Sequence, residues 1–205
     1  MIVVLDYGVG NLGSILNMLR RIGTPAVISS DPEQVAKADK LILPGVGSFD
    51  NGMMNLRNSG LLPTISRKVL EEGAPILGIC LGMQLLTRKS EEGDSSGLGW
   101  IDAETVRFSF RPDQNGLKIP HMGWNAIQMN QTSQLFDGFN GEARFYFVHS
   151  FHVVCGKQED ILATTVHGYE FTSAFCKQNI FGTQFHPEKS HKFGIRLLKN
   201  FAEMC

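Results

Sequence analysis

Residues 2 to 6 form an unbroken apolar run closed by an acid, and Leu12, Ile15, Leu16, Leu19 and Ile22 then recur at helical spacing. This predicts a buried strand followed by an amphipathic helix, with Gly23 where a helix end favours a left-handed residue. The alternation continues. Ala26 to Ser29 reads as a strand, and Asp31-Pro32 opens a helix as N-cap and first helical residue. Lys40 to Leu43 is a strand, Leu61 to Leu70 a helix, and Pro75 to Ile79 a fourth strand. Short strands without polar alternation, separated by helices, are the pattern of βαβ units and of a parallel sheet covered on both faces.

From about Gly97 to Gln184 the texture changes to irregular apolar stretches punctuated by Gly, Asn, Asp and Pro. The candidate strands are Thr105 to Phe110, Ala126 to Met129, Arg144 to Phe151, Ile161 to Thr165, Phe171 to Cys176 and Ile180 to Phe185. Antiparallel pairing is the simplest expectation for them. A closing helix from about Ser190 places Gly194, Leu197, Leu198, Phe201 and Cys205 on one face. The polar stretch from Ser90 to Gly97 is too short to link domains, so residues 1–205 are expected to form one domain.

Length agrees, since 205 residues suit one large domain better than two small ones. Hydrophobic residues make up 42%, charged residues 19%, and the formal net charge is -1, which disfavours a disordered chain or a basic nucleic-acid binder. No run of about 18 apolar residues predicts a membrane span, and the first residues have no signal-peptide pattern, so the expected location is the cytoplasm. The four cysteines, Cys80, Cys155, Cys176 and Cys205, are far apart and are expected to be reduced.

Cys80 stands in Gly78-Ile79-Cys80-Leu81-Gly82, between an apolar strand and an apolar helix. This has the form of a nucleophile elbow, in which glycines two residues either side of a strained central residue prevent clashes. A thiol there lies at a helix N-terminus, which favours the thiolate; the other reading is a buried cysteine at a strand end. A nucleophilic thiol needs a base, and the base an orienting carboxylate. Phe185-His186-Pro187-Glu188 supplies both: proline biases His186 toward extended backbone, where side chains two apart point the same way. Pro44-Gly45-Val46-Gly47, after the third strand, can turn the Val46 amide toward a ligand, forming an oxyanion hole with the Leu81 amide. Gly8-Val9-Gly10-Asn11-Leu12-Gly13 has the outline of a dinucleotide fingerprint, but the acid that would follow it, Asp31, is already accounted for as a helix cap. No metal-ligand spacing is present. Neither a metal nor another cofactor is expected.

These three motifs together resemble the class I, triad-type glutamine amidotransferases over nearly the whole chain. Pro120-His121-Met122-Gly123-Trp124-Asn125, Tyr146-Phe147-Val148-His149-Ser150 and Glu188-Lys189-Ser190 narrow the resemblance to the glutaminase subunits of imidazole glycerol phosphate synthases. The resemblance implies an α/β fold with a flavodoxin-like parallel core and an added antiparallel β-section. It also implies a Cys80, His186 and Glu188 triad, and glutamine bound by Gly47, Gln84 and the Val148, His149 and Ser150 backbone. It implies Asn11, Trp124 and Lys189 at the interface with a (β/α)8-barrel cyclase subunit, as a heterodimer, in histidine biosynthesis. A paralogue feeding ammonia to a sugar amidotransferase of surface-polysaccharide synthesis fits the same motifs. A cysteine peptidase or γ-glutamyl hydrolase would share the triad. Family members often carry Tyr after the His-Ser pair, where this chain has Phe151-His152.

Overall fold

The computed structural model of the chain describes residues 1–111 and 116–205. Its first part runs β1 (Ile2–Leu5), α1 (Leu12–Arg21), β2 (Ala26–Ser29), α2 (Pro32–Ala36), β3 (Lys40–Leu43), α3 (Phe49–Asn58), α4 (Leu62–Ser66), a π-helical turn (Arg67–Glu71), β4 (Ile76–Ile79) and α5 (Leu81–Leu85). The local signals operate as expected. The Asp31 carboxylate accepts the Glu33 N–H at 2.9 Å, and Gly23 takes φ +77° after α1. Helix α3 is an addition: its polar run, with a glycine at its centre, hides the four residues it buries, Phe49, Gly52, Met53 and Leu56.

The second part contributes β5 (Ala103–Arg107), β6 (His121–Met129), β7 (Ala143–His149), β8 (Phe151–Cys155), β9 (Ile161–His167), β10 (Tyr169–Lys177), β11 (Ile180–Thr183) and α6 (His191–Glu203). The run from Arg144 to Phe151 is therefore two strands, divided at Ser150. Among the described residues, eleven strands form one sheet in the order β2-β1-β3-β4-β11-β10-β9-β6-β7, with β5 on β8 and β8 on β10. One expectation needs correcting. Strand β11, in the stretch read as antiparallel, pairs parallel with β4 and antiparallel with β10, and so joins the two halves of the sheet.

Two apolar cores lie on opposite faces. Ile2 and Val4 join α1 and α6 on one side, and Val3 and Leu5 join α3, α4 and α5 on the other, which is why β1 reads as continuously apolar. Strand β2 departs from this: it is the sheet edge, and Ala26, Val27 and Ile28 are only partly buried. Helix α6 buries Gly194, Leu197, Leu198 and Phe201, whereas Cys205 lies beyond its end and is partly exposed. No helix among the described residues is long and apolar enough to cross a membrane.

Candidate active site

Cys80 follows β4 directly and sits at φ +55°, ψ -109°, a left-handed conformation that costs a non-glycine residue about 1–3 kcal/mol. The surrounding backbone holds it there: the Cys80 N–H donates to the Thr183 carbonyl of β11 at 2.8 Å. The flanking glycines answer to space. A Cβ on Gly82 would lie 1.9 Å from the Leu43 carbonyl oxygen, and one on Gly78 would lie 2.7 Å from the Gly82 carbonyl oxygen. Backbone thus touches backbone where β3, β4 and α5 meet. Gly82→Ala is expected to cost at least about 3 kcal/mol, whereas Gly47→Ala, at φ +97° with open space around it, is expected to cost about 1 kcal/mol. Denaturant melts that ranked the two variants equal would refute the close-approach argument.

The oxyanion-loop candidates lie beside the elbow. A Cβ on Gly45 would stand 2.7 Å from the Gly82 N and 3.0 Å from the Tyr7 hydroxyl, so Gly45 is a packing glycine. The buried Tyr7 hydroxyl, which burial and then the neighbouring Cys80 charge keep protonated, donates to the Pro44 carbonyl. Leu81 opens α5, where backbone N–H groups have no partner within the helix.

His186 is extended, as Pro187 requires, but Pro187–Lys189 is a 3₁₀ turn, so the expected extended route to Glu188 is not the one used. The turn itself brings the carboxylate round, and Glu188 Oε1 lies 2.8 Å from His186 Nδ1 with both side chains buried. The backbone of His186 is pinned on both sides. Its N–H donates to the Tyr146 carbonyl at 2.9 Å, and its carbonyl accepts from the Ser190 hydroxyl at 2.6 Å. Gly194 lets α6 close on this turn, since a Cβ there would lie 1.7 Å from the Pro187 carbonyl oxygen. Burial alone would lower the His186 imidazole. The Cys80 sulfur and the Glu188 carboxylate together outweigh it and raise the ring well above its ordinary value.

Cys80, His186, Val46, Gly47, Leu81, Gln84, Val148, His149, Ser150 and Lys189 all line one cavity of about 340 Å³, and Glu188 stands behind His186. Cys80 is only 7% exposed, so the thiol meets solvent through this cavity rather than on an open elbow. Three further residues line the cavity: Pro120 and Phe151, which sequence reasoning named without giving them a site role, and Glu92, which it missed. Glu92 lies in the loop read as merely polar; its carboxylate accepts the Phe49 N–H at 2.8 Å, and partial burial raises its pKa. That loop is held back against the fold by Asp50, which accepts from the Asp94 and Ser95 amides. The interface candidates divide. Lys189 is exposed at the cavity with its ammonium over the Tyr146 ring, whereas Asn11 and Trp124 are not among the lining residues. Asn11 accepts from the Ser14 hydroxyl at the start of α1, and the exposed Trp124 stacks on His191 at 5.4 Å. Among the described residues no cluster of His, Cys, Asp or Glu is placed to hold a metal ion.

Burial lowers the imidazole of His121 to about 4 and that of His149 well below its usual value, so both are neutral in the fold. The unfolded chain binds protons at these positions below about pH 6.5 and the folded chain does not, so stability rises with pH in this window and falls as pH drops through it. From His121 alone the expected loss between pH 6.5 and 4 is on the order of 2–3 kcal/mol, and His149 adds to it in the same direction. A urea midpoint unchanged over that range would contradict it.

The family model described as "Glutamine amidotransferase class-I" matches residues 3–205. The chain is 55% identical over 205 residues to imidazole glycerol phosphate synthase subunit HisH 2 of Methanococcus maripaludis, with 100% of both chains covered. The chain belongs to the HisH family of class I glutamine amidotransferases. HisH 2 of Pseudomonas aeruginosa is 51% identical, again over 100% of both chains. As a HisH-family enzyme the chain hydrolyses glutamine. The fold is shared with more distant proteins. A crystal structure of a glutamine amidotransferase superposes with a TM-score of 0.75 at 20% identity, covering 99% of this chain and 98% of that one. One from Thermotoga maritima gives 0.65 at 19% identity, covering 98% and 80%.

Proposed function

We propose that this HisH-family chain is the glutaminase subunit of an imidazole glycerol phosphate synthase, with Cys80, His186 and Glu188 as its triad. The observation that carries the triad is the convergence of Cys80 and His186 on one cavity, with Glu188 2.8 Å behind the imidazole. The Cys80 thiolate adds to the side-chain carboxamide carbon of glutamine, and the Val46 and Leu81 amides receive the oxyanion. His186, as imidazolium, gives its proton to the departing nitrogen; the C–N bond breaks, and ammonia leaves a thioester on Cys80. Water, deprotonated by His186, then releases glutamate and restores the thiol. Gln84, Gly47 and the Val148–Ser150 backbone hold the substrate, and the Glu92 carboxylate, which lines the cavity while accepting the Phe49 N–H, suits its α-ammonium group.

The ammonia passes to a (β/α)8-barrel cyclase subunit, bound as a heterodimer, for histidine biosynthesis. The exposed apolar side chains of Met122 and Trp124 support a docking face, because Met122 pairs across β6 and β7 with Val148 of the cavity wall. Asn11 and Lys189 would serve the same interface. Gly47 also suits control by the partner. With no side chain and φ +97° it allows the Val46 peptide to reorient, and one oxyanion donor is worth about 2.7–4 kcal/mol, or roughly 100- to 1,000-fold in rate. The chain alone is therefore expected to be a weak glutaminase that its cyclase, loaded with acceptor nucleotide, activates at least about 100-fold. Full activity of the isolated chain would overturn this.

The decisive experiment is genetic: the gene, co-expressed with its cyclase, is expected to restore growth without histidine to a strain lacking its own HisH. The same motifs fit a second reading, a paralogue feeding a sugar amidotransferase of surface-polysaccharide synthesis. Failure of complementation by a chain that hydrolyses glutamine normally would favour that second reading.

A further inference from the structure

His121 and His149 are direct cross-strand partners of β6 and β7, and their rings meet, His121 Nδ1 to His149 Nε2, at 3.0 Å. Both are buried. Neither nitrogen's role is free, because the polarity of the contact is fixed from both ends. At one end stands Asn125, four residues along β6 with only Gly123 between them on that face. Its carbonyl oxygen accepts from the Ala126 amide at 2.8 Å and its amide nitrogen donates to the Val166 carbonyl at 2.9 Å, so the same NH2 group faces His121 Nε2, at 3.2 Å. His121 Nε2 must accept, and Nδ1 must carry the proton. At the other end the Phe151 carbonyl, which can only accept, lies 2.7 Å from His149 Nδ1. His149 therefore bears its proton on Nδ1 and accepts from His121 on Nε2.

The chain of donors ends at the cavity. The Phe151 carbonyl accepts a second hydrogen bond, from Gln84 Nε2 at 3.2 Å, and Gln84 Nε2 also donates to Gln184 Oε1 at 3.1 Å. Both amide hydrogens of Gln84 are committed. Its carboxamide is thereby oriented, and Oε1 is the part that remains for a donor in the cavity that Gln84 lines.

We propose that His121 is a positioning residue for glutamine hydrolysis: through His149 and the Phe151 carbonyl it fixes the orientation in which the Gln84 carboxamide meets glutamine. This rests on the assignment of Gln84 to the glutamine site. Burial supports it independently, since both imidazoles stay uncharged and a second proton would set two donors face to face. The arrangement needs a donor at the Nδ1 position of residue 121 and an acceptor at Nε2, and only the first lies on the path to Gln84.

The test is covalent labelling of the full-length chain at Cys80 by L-6-diazo-5-oxonorleucine, a reactive glutamine analogue, with iodoacetamide, which carries no glutamine-like recognition, as the second probe. Asn places its amide nitrogen where His has Nδ1, and Gln where His has Nε2. His121→Gln and His121→Leu are expected to raise the half-saturating concentration of the analogue roughly tenfold, the worth of one misdirected hydrogen bond, while leaving the maximal labelling rate and the iodoacetamide rate unchanged. His121→Asn is expected to stay within about twofold of the parent. Equal defects in the Asn and Gln variants, or a fall in the iodoacetamide rate alongside them, would overturn the proposal in favour of a merely structural role, and both variants are polar enough to compare even if the Leu variant does not fold. Gln84→Ala separates the premise from the proposal. If it leaves half-saturation unchanged, the assignment of Gln84 fails. If it raises half-saturation and His121→Gln raises it no further in the double variant, the path through Gln84 is supported. Additive effects would refute that path.

Discussion

In a Cys80→Ala variant, glutamate release is expected to fall by about six orders of magnitude, the scale on which loss of a triad nucleophile abolishes turnover in a serine hydrolase. The fold should survive, since the side chain lost is small and the backbone bond from Cys80 N to the Thr183 carbonyl remains. Alanine also tolerates φ +55° no worse than cysteine does. The same site predicts selective chemistry at neutral pH. Burial pushes the thiols of Cys155 and Cys176 up to about 12 and that of Cys205 up to about 11, which suppresses their thiolates, whereas Cys80 opens onto the cavity beside His186. Mass spectrometry after brief alkylation is expected to find the label on Cys80 ahead of the other three. Residual glutaminase activity in Cys80→Ala above about one-thousandth of the parent rate would remove Cys80 from the nucleophile's role.

The second large effect belongs to Glu188→Gln. The substitution keeps the shape behind the imidazole and removes the charge, and a fall of about 10³- to 10⁴-fold in turnover is expected by comparison with loss of a triad carboxylate elsewhere. Glutamine KM should move little, because Glu188 lies behind His186 and does not line the cavity. The pH profile supplies an independent reading. Burial lowers the imidazole, and Cys80 and Glu188 raise it past that penalty, so removing Glu188 leaves one group to oppose burial. The limb of the rate profile in which His186 loses its proton is therefore expected to move to lower pH in the variant. A turnover within threefold of the parent, or a limb that does not move, would mean that the carboxylate only fills space.

Much of this was legible in the residue order, and the parts that were not have identifiable causes. The elbow, the His-Pro-Glu turn and the Asp31 cap are local devices whose residues are consecutive, and local reasoning finds them. The direction of β11 is not local. Four residues, Ile180–Thr183, carry no mark of whether they run parallel or antiparallel, and what sets them is a neighbour a hundred residues earlier. Asn179 helps seat the strand, donating to the Val69 and Ala74 carbonyls at 2.8 Å each. Helix α3 was hidden because Gly52, poor in helix propensity, stands at its centre, where a Cβ would press on the Leu81 side chain at 3.0 Å. Glu92 was hidden in a loop whose fold-back depends on Asp50, a residue of that unrecognised helix. The His186–Glu188 pairing was foreseen for a reason that does not hold, since a 3₁₀ turn and not an extended segment brings the two together.

The parallel register of β4 and β11 sets Ile79 opposite Thr183, so Cys80 and His186 emerge beside one another although 100 or more residues of chain are threaded between them. A ribosome therefore finishes the thiol's half of the site long before the imidazole's. Until the last strand is synthesised and inserts between β4 and β10, the nascent polypeptide carries an elbow with no imidazole beside it, and closing so long a loop is entropically costly enough that it waits on the rest of the sheet. Degraded or prematurely terminated chains ending before β11 should be inert toward glutamine for the same reason, so that the cell's amide nitrogen is exposed only to molecules that have completed their final strand.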